Sequence, residues 1–430
     1  MSSKPTTATV KTIEGAPIER IPGYAWYALS LLTIVYVLNF LDRTLIYLLF
    51  TPIKAEMHLS DTQLALLGAT SFVIFYTLLG VPFGRMADRV SRKKLIAFGL
   101  AVWSLFSGLT GFAHDFWGIF LCRLMVGVGE ATLGPAALSL LSDYFPTRVR
   151  ATVQAIYSSG IAIGAGIAFL FGGQIAQAFG WRWAFYLLGF PGLIFAVLVV
   201  LLKEKPRGQT EIAAPGHSRK DWRVLFTSRP LIYLYLGYAL FGLAANSLSI
   251  WGVTFFTRVH KLDLVLIGWW GGILSIVAGV PGTVLGGYVA DRLRRRGRGG
   301  RMLFSACAAL LAIPCWIALL FSNNLWLLLV ANFMLLALSL IWLGPAAADV
   351  HEIAGPKLRG LSIGIYFFAV NIAAYAIGAP LVGKLNDLRG ATQNPAGMRY
   401  ALLISPLACA ISALLLWRGS KTLREAETTI

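Results

Sequence analysis

The chain has 430 residues, 57% of them hydrophobic and only 13% charged, yet its formal net charge is +18. A water-soluble domain is usually about a quarter charged, so this chain has too little polar surface to stand in water as a compact body. Spanning helices of about 20 apolar residues suit it instead: about twelve would use roughly 240 residues and leave short loops and two tails, which excludes most soluble enzymes, disordered chains and disulfide-stapled secreted modules.

The polar start, Met1 to Gly23, carries Pro17 and Pro22 and lacks the basic-then-apolar layout of a cleavable signal. The first apolar run is therefore expected to stay as an anchor. Apolar runs follow at about 24–50, 62–86, 95–113, 116–141, 151–178 and 183–202. A polar linker occupies 203–229. Six more runs lie at about 230–257, 265–290, 302–321, 325–349, 359–383 and 399–417, before a polar tail at 418–430. In hydrocarbon every backbone amide needs an internal partner, so these runs are expected to be helices. The short alternating strands of an outer-membrane barrel are missing. The predicted architecture is an all-α membrane protein with a six-helix bundle at 24–202 and another at 230–417.

Of the 37 Lys and Arg residues, 28 fall in the tails, the linker and the loops on their side, and seven in the opposite loops. Arg43 and Arg123 lie inside spans. Basic loops stay in the cytosol, so both termini and the linker are expected there, in a bacterial inner membrane. The base is spread over many loops rather than along one stripe, which argues against nucleic-acid binding. Cys122, Cys307, Cys315 and Cys409 lie in apolar runs without ligand spacing and read as small buried hydrophobes. No metal or cofactor is expected.

The halves look alike. Gly84-Arg85-Met86-Ala87-Asp88-Arg89 follows the second run, and Gly287-Tyr288-Val289-Ala290-Asp291-Arg292 follows the eighth. Arg150 with Tyr157 is matched by Arg359 with Tyr366. Tandem six-helix halves are a transporter architecture, with the substrate site at their interface.

Gly84 to Lys94, with Asp88, Arg89 and Arg92, resembles the signature loop of the major facilitator superfamily, Gly-x-x-x-Asp-Arg-x-Gly-Arg-Arg, except that Ser91 replaces the second glycine. Within that superfamily, Asn39-Phe40-Leu41-Asp42-Arg43, Arg123 to Ala131 with its Gly-Glu-Ala, and Asp143-Tyr144-Phe145-Pro146 leading to Arg150 resemble the spinster branch. The resemblance implies a twelve-helix transporter acting by alternating access. Animal spinster proteins are associated with export of sphingosine 1-phosphate and lysophospholipids. It also implies a conformational latch at the signature loops: Gly84, Asp88, Arg89, Arg92, Asp143, Arg150, Asp291 and Arg292. Asp143 is expected to pair with Arg148 or Arg150, and Asp291 with Arg292.

Four ionisable residues lie well inside the spans: Asp42, Arg43, Arg123 and Glu130. Such a charge costs at least about 2.5 kcal/mol at mid-membrane, so it usually faces an internal cavity and works there. Asp42 and Arg123 are each roughly 10–12 Å from the outer ends of their helices, and Glu130 is about 10 Å deeper than Arg123. Asp42 is therefore expected to pair with Arg123 or Arg43, and Arg123 not to touch Glu130. Asp42 and Arg43 are about 100° apart on the helix, so one is expected to face the cavity and the other a neighbouring helix. Asn39 shares a face with Arg43, and Tyr157, Tyr366, Phe367 and Phe368 are candidate cavity lining. Gly127 and Gly129 read as close helix contacts, and Asp349, His351 and Glu352 as a charged helix end.

The expected function is secondary transport of an amphipathic or organic anion, linked to protons, by a monomer in contact with membrane lipid. The alternative is a proton-coupled symporter of small carboxylates or sugar acids. A membrane-embedded enzyme fits less well, since all five His residues lie in loops or at helix ends.

Overall fold

A computed structural model describes residues 21–87, 89–146, 149–204, 222–297 and 299–428. Among the described residues there is no β-strand, and twelve long helical segments run through the bundle. They are α1 (Gly23–Leu48), α2 (Asp61–Gly80, helical on to Ala87), α3 (Arg92–Thr110), α4 (Phe116–Tyr144), α5 (Arg150–Phe179) and α6 (Trp181–Val200) in the first half. The second half holds α7 (Arg229–Val259), α8 (Leu264–Arg294), α9 (Gly300–Phe321), α10 (Leu325–Ala354), α11 (Leu361–Leu388) and α12 (Gly397–Glu425). Eleven are long and apolar enough to cross a membrane on those grounds alone. The other, α3, is 19 residues long and opens on three basic side chains.

Helix starts are set by side chains that take the free amides of a first turn. Ser60 and Gln63 form a capping box at α2. Ser91 caps α3, Asp115 caps α4, Asp263 caps α8 and Asn324 caps α10. Gly180, at φ 91°, turns the chain from α5 into α6 in a conformation that a side chain would resist.

Three details depart from the predicted boundaries. Helical backbone runs unbroken from Leu343 to Asn371, through the loop predicted between 349 and 359. The last helix continues to Thr428, through most of the predicted tail. The predicted linker contains a short helix, Val224–Thr227. In each case the apolar run reports where hydrocarbon ends, and a helix with charged side chains can pass that point into water. Residues 1–20 of the N-terminal tail and 205–221 of the linker lie outside the described residues.

Within the halves α1 packs along α5 and α7 along α12; between them α5 packs along α8, and the start of α2 meets the end of α11. A Cβ at Gly268 would stand 2.5 Å from the Phe169 carbonyl oxygen, and one at Gly383 2.7 Å from that of Asp61. Only glycine lets the two halves approach that closely. One apolar core, including Leu32, Trp103 and Leu140, fills the first half toward the termini. The larger core fills the second half and takes in Leu45, Phe50 and Leu64 of the first. The halves therefore share a core at the end away from the termini. Large apolar side chains such as Trp117, Ile194 and Trp326 stay exposed around the outside, as they must where the solvent is lipid.

Candidate functional site

Polar assemblies interrupt this apolar body in the middle and at both ends. In the middle, Arg43 Nε donates to Glu130 Oε2 at 2.6 Å, joining α1 to α4. The guanidinium lies over the rings of Phe40 (5.0 Å), Phe72 (4.5 Å) and Tyr76 (4.5 Å). Its side chain keeps 15% of its surface accessible, while Glu130 has none. Asp42 points elsewhere: it is buried and accepts from Ser107 Oγ of α3 at 2.7 Å.

The expected pairing of Asp42 with Arg123 or Arg43 is thus replaced by Arg43 with Glu130. The reason is the lean of side chains toward the N-terminus of their own helix. Because α1 and α4 run in opposite directions, the long Arg43 side chain reaches down the membrane while Glu130 leans up toward it. Asp42, about 100° away around α1, cannot share that target.

Arg123 is fully buried, and none of its guanidinium nitrogens finds a hydrogen-bond partner among the described residues. It lies within electrostatic reach of Asp42 and Glu130 without bonding to either. The Asn39 amide is buried beside Glu130, in position to bond its carboxylate. Burying a charged group such as Arg123 without a hydrogen-bond partner is costly.

Of the candidate lining residues, Tyr157 stacks on Tyr36 at 4.3 Å and lies near Arg43. Tyr366 packs against Tyr238 in the second-half core, and Phe367 and Phe368 are about half exposed. Tyr36, Phe40, Phe72 and Tyr76 escape a sequence reading, although their three- and four-residue spacing around Asn39 and Arg43, and from Phe72 to Tyr76, puts them on shared helix faces. Across the interface, α2 and α11 each carry a π turn, Leu66–Thr70 and Ile372–Gly378. Thr70 Oγ1 donates to the Tyr375 carbonyl at 3.1 Å, tying these turns together. Turns of this kind recur at functional sites.

At the end away from the termini, fully buried Asp61 takes Lys54 Nζ at 2.5 Å and Arg258 Nη1, from the other half, at 2.7 Å. Asp387 of α11 accepts from the backbone amides of Asp61 and Thr62 at 2.9 Å each, and from Thr62 Oγ1 at 2.6 Å. The Thr51 and Thr257 hydroxyls meet across the halves at 3.2 Å, and Lys54 Nζ donates to Thr392 at 2.7 Å. A cleft of about 590 Å³ lies over this clamp, lined in part by Lys54, His58 and Arg258. None of these residues stands out in the sequence, since charge at the end of a span is ordinary.

At the termini end each half carries its own network. Buried Arg92 donates to Asp143, to the Ser139 carbonyl at 3.1 Å and to Glu204 Oε1 at 3.1 Å. Burial alone would raise the Glu204 pKa, but hydrogen bonds from Ser91 and Arg92 outweigh it and hold the carboxyl below the usual glutamate range. The expected partner of Asp143 is therefore corrected to Arg92. Arg150 instead donates to the Ser142 and Phe145 carbonyls, at 2.9 and 3.4 Å, and Arg148 lies outside the described residues. Asp291 pairs with Arg301 at 2.8 Å rather than with its immediate neighbour Arg292. Arg301 also holds Glu352 at 2.9 Å. Of the signature loop, Asp88 lies outside the described residues, Gly84 packs loosely on Pro135, and the Arg89 amide donates to the Met86 carbonyl at 2.9 Å.

Residues 32–312 match the family model of the Major Facilitator Superfamily. An "MFS-type efflux pump" of Mycolicibacterium smegmatis is 27% identical over 407 residues, 94% of this chain and 94% of that protein. A "Probable sphingolipid transporter spinster homolog 1" of Arabidopsis thaliana is 27% identical over 78% of this chain and 74% of its own length. Among solved structures, a bacterial homologue of the human lysosomal transporter Spinster, in an inward-facing and unoccupied conformation, superposes with a TM-score of 0.82 at 26% identity, covering 94% of this chain and 98% of that one. With twelve helices in two sequential halves and a match through most of their length, the chain belongs to the Major Facilitator Superfamily and is a spinster-like membrane transporter.

Proposed function

We propose that this protein moves an amphipathic anion, such as a lysolipid or a sphingosine-phosphate-like molecule, by proton-linked alternating access. The observation that carries the reading is the Arg43–Glu130 pair: a cation that keeps 15% of its side-chain surface accessible, held by a carboxylate with none. A proton on Glu130 removes the countercharge, and Arg43 then takes the anionic headgroup in its place. Arg123, without a hydrogen-bonding partner, adds a second positive charge behind that site. Rings of Phe40, Phe72 and Tyr76 keep water off the guanidinium, which strengthens its hold on an anion. Similarity to the Arabidopsis protein named a probable sphingolipid transporter favours a lipid over a small carboxylate.

The clamp at Asp61 closes the end away from the termini, which supports an inward-facing state like that of the bacterial homologue. The distribution of 28 basic residues against seven supports cytosolic termini; a bacterial inner membrane and a monomer as the working unit complete the reading.

The test is lysolipid binding and transport in proteoliposomes under a pH gradient. Arg43→Ala is expected to weaken binding about 10- to 100-fold, the worth of a charge-assisted contact. Glu130→Gln is expected to remove the dependence of transport on the gradient. Lysolipid binding that Arg43→Ala leaves intact overturns the headgroup role, and a pH dependence unchanged by both Glu130→Gln and Asp42→Asn overturns the proton link.

A further inference from the structure

Every charged group of the central cluster belongs to the first half, so a headgroup held there alone would leave the second half uninformed. The second half presents one polar pair to the same region. Tyr375 sits in the π turn of α11, with its carbonyl taken by Thr70 of the facing turn at 3.1 Å. Its ring packs against the apolar cores of both halves. The phenol lies within electrostatic reach of Arg43 on α1, Tyr76 on α2 and Glu130 on α4. Its hydroxyl donates to Asn246 Oδ1 of α7 at 2.6 Å, and Asn246 Nδ2 donates to the Gly242 carbonyl at 2.8 Å. Both side chains are partly exposed.

The donor inventory decides what such a pair can recognise. The Tyr375 proton is committed to Asn246, so the phenol oxygen is left as an acceptor, and Asn246 keeps one amide hydrogen. Neither group carries charge. An anion gains little from that oxygen, whereas an O–H or N–H group beside the anion finds a partner in it.

We propose that Tyr375, oriented by Asn246, is a specificity-determining residue that accepts a hydrogen bond from a hydroxyl or amino group next to the anionic group of the substrate. The proposal rests on the reading that Arg43 anchors the anion. It makes the preferred headgroup an anion and a donor only a few bonds apart, and ranks bare alkyl phosphates and fatty acids below it. It also gives the second half a direct contact with bound substrate, on an element that touches the first half through Thr70.

The test compares lysophosphatidic acid with its 2-deoxy analogue, which keeps the acyl chain and phosphate and lacks one hydroxyl, on the purified full-length protein. Wild type is expected to bind the hydroxyl-bearing compound about fivefold more tightly, the worth of one neutral hydrogen bond. Tyr375→Phe is expected to bind both equally, near the wild-type affinity for the deoxy compound. Asn246→Ala, which leaves the phenol free to turn, should also shrink the preference. Equal binding of the two by wild type overturns the proposal, as does a preference that survives Tyr375→Phe. So does a Tyr375→Phe protein that loses affinity for both while keeping their ratio, because that is a packing effect. Arg43→Ala separates this failure from that of the underlying reading: weaker binding of both compounds leaves the anchor standing, and unchanged binding removes anchor and proposal together.

Discussion

Replacing Asp61 with asparagine keeps the shape of the clamp away from the termini and removes its charge. Asp61 is fully buried and faces two cations, Lys54 and Arg258, whose side chains keep only 14% and 11% of their surface accessible. Taking away one member of a buried pair costs about 3–5 kcal/mol, because the partner is left charged without a counter-ion. That cost falls on the closed arrangement. When this end opens, water can reach Lys54 and Arg258 and the penalty largely disappears. The low end of the range, about 3 kcal/mol, already shifts the balance about 100-fold toward opening. A state populated at about 1% would then rise to about one half.

Spin labels on the ends of α1 and α7 away from the termini, near Thr51 and Thr257, would read this directly, since those hydroxyls are 3.2 Å apart across the halves. The Asp61→Asn protein should gain a long-distance population absent or minor in wild type. Gly383 packs on the Asp61 backbone rather than its side chain, so that contact survives the change. A distance distribution identical to wild type would refute the reasoning, because it would mean that the Asp61–Arg258 pair across the halves contributes nothing to closure.

Two further outcomes follow from named contacts. Glu204 is held ionised below the usual glutamate range, so its stabilising effect is full at neutral pH and fades only as pH falls through that depressed value; Glu204→Gln should lower the melting temperature at pH 7, with the gap from wild type closing in acid, and a pH-independent gap would assign its role to packing. A Cβ at Gly127 would stand 2.4 Å from the Phe72 carbonyl oxygen, so Gly127→Ala must push α4 from α2 at a cost of about 1–3 kcal/mol, visible as a lower melting temperature in detergent, and no change would show that the helices part freely there.

The twelve crossings are legible because hydrocarbon leaves a long apolar run no alternative to a helix. Their ends are less so, as Leu343–Asn371 shows: polarity marks the water boundary, while the helix obeys its backbone bonds and continues. Asp42, Arg43, Arg123 and Glu130 stand out from sequence because charge inside an apolar run is conspicuous. Which of them pair is hidden, because it depends on side-chain lean between antiparallel helices and on Ser107, a residue no sequence rule would single out. The clamp at Asp61, Arg258 and Asp387 is hidden for the opposite reason, since charges at span ends are everywhere. Tyr375 and Asn246 are neutral residues among many, and only the facing π turns bring them to notice.

The four charges inside the membrane have a consequence for the proposed cycle. Asp42 and Glu130 balance Arg43 and Arg123, and all four lie on α1 and α4 of one half. With both acids ionised the four together carry no net charge, so the cluster can shift without moving net charge through the membrane field. Adding an anion alone would break that balance, and so would adding a proton alone. Adding one proton and one monoanionic headgroup restores it. The low dielectric that makes a stray charge costly therefore couples the two ligands: each lowers the cost of the other, and by linkage the effect is mutual. The arrangement needs no direct contact between proton and headgroup. It needs only that both act on the same ion pair, and in the proposed cycle Arg43–Glu130 is that shared partner.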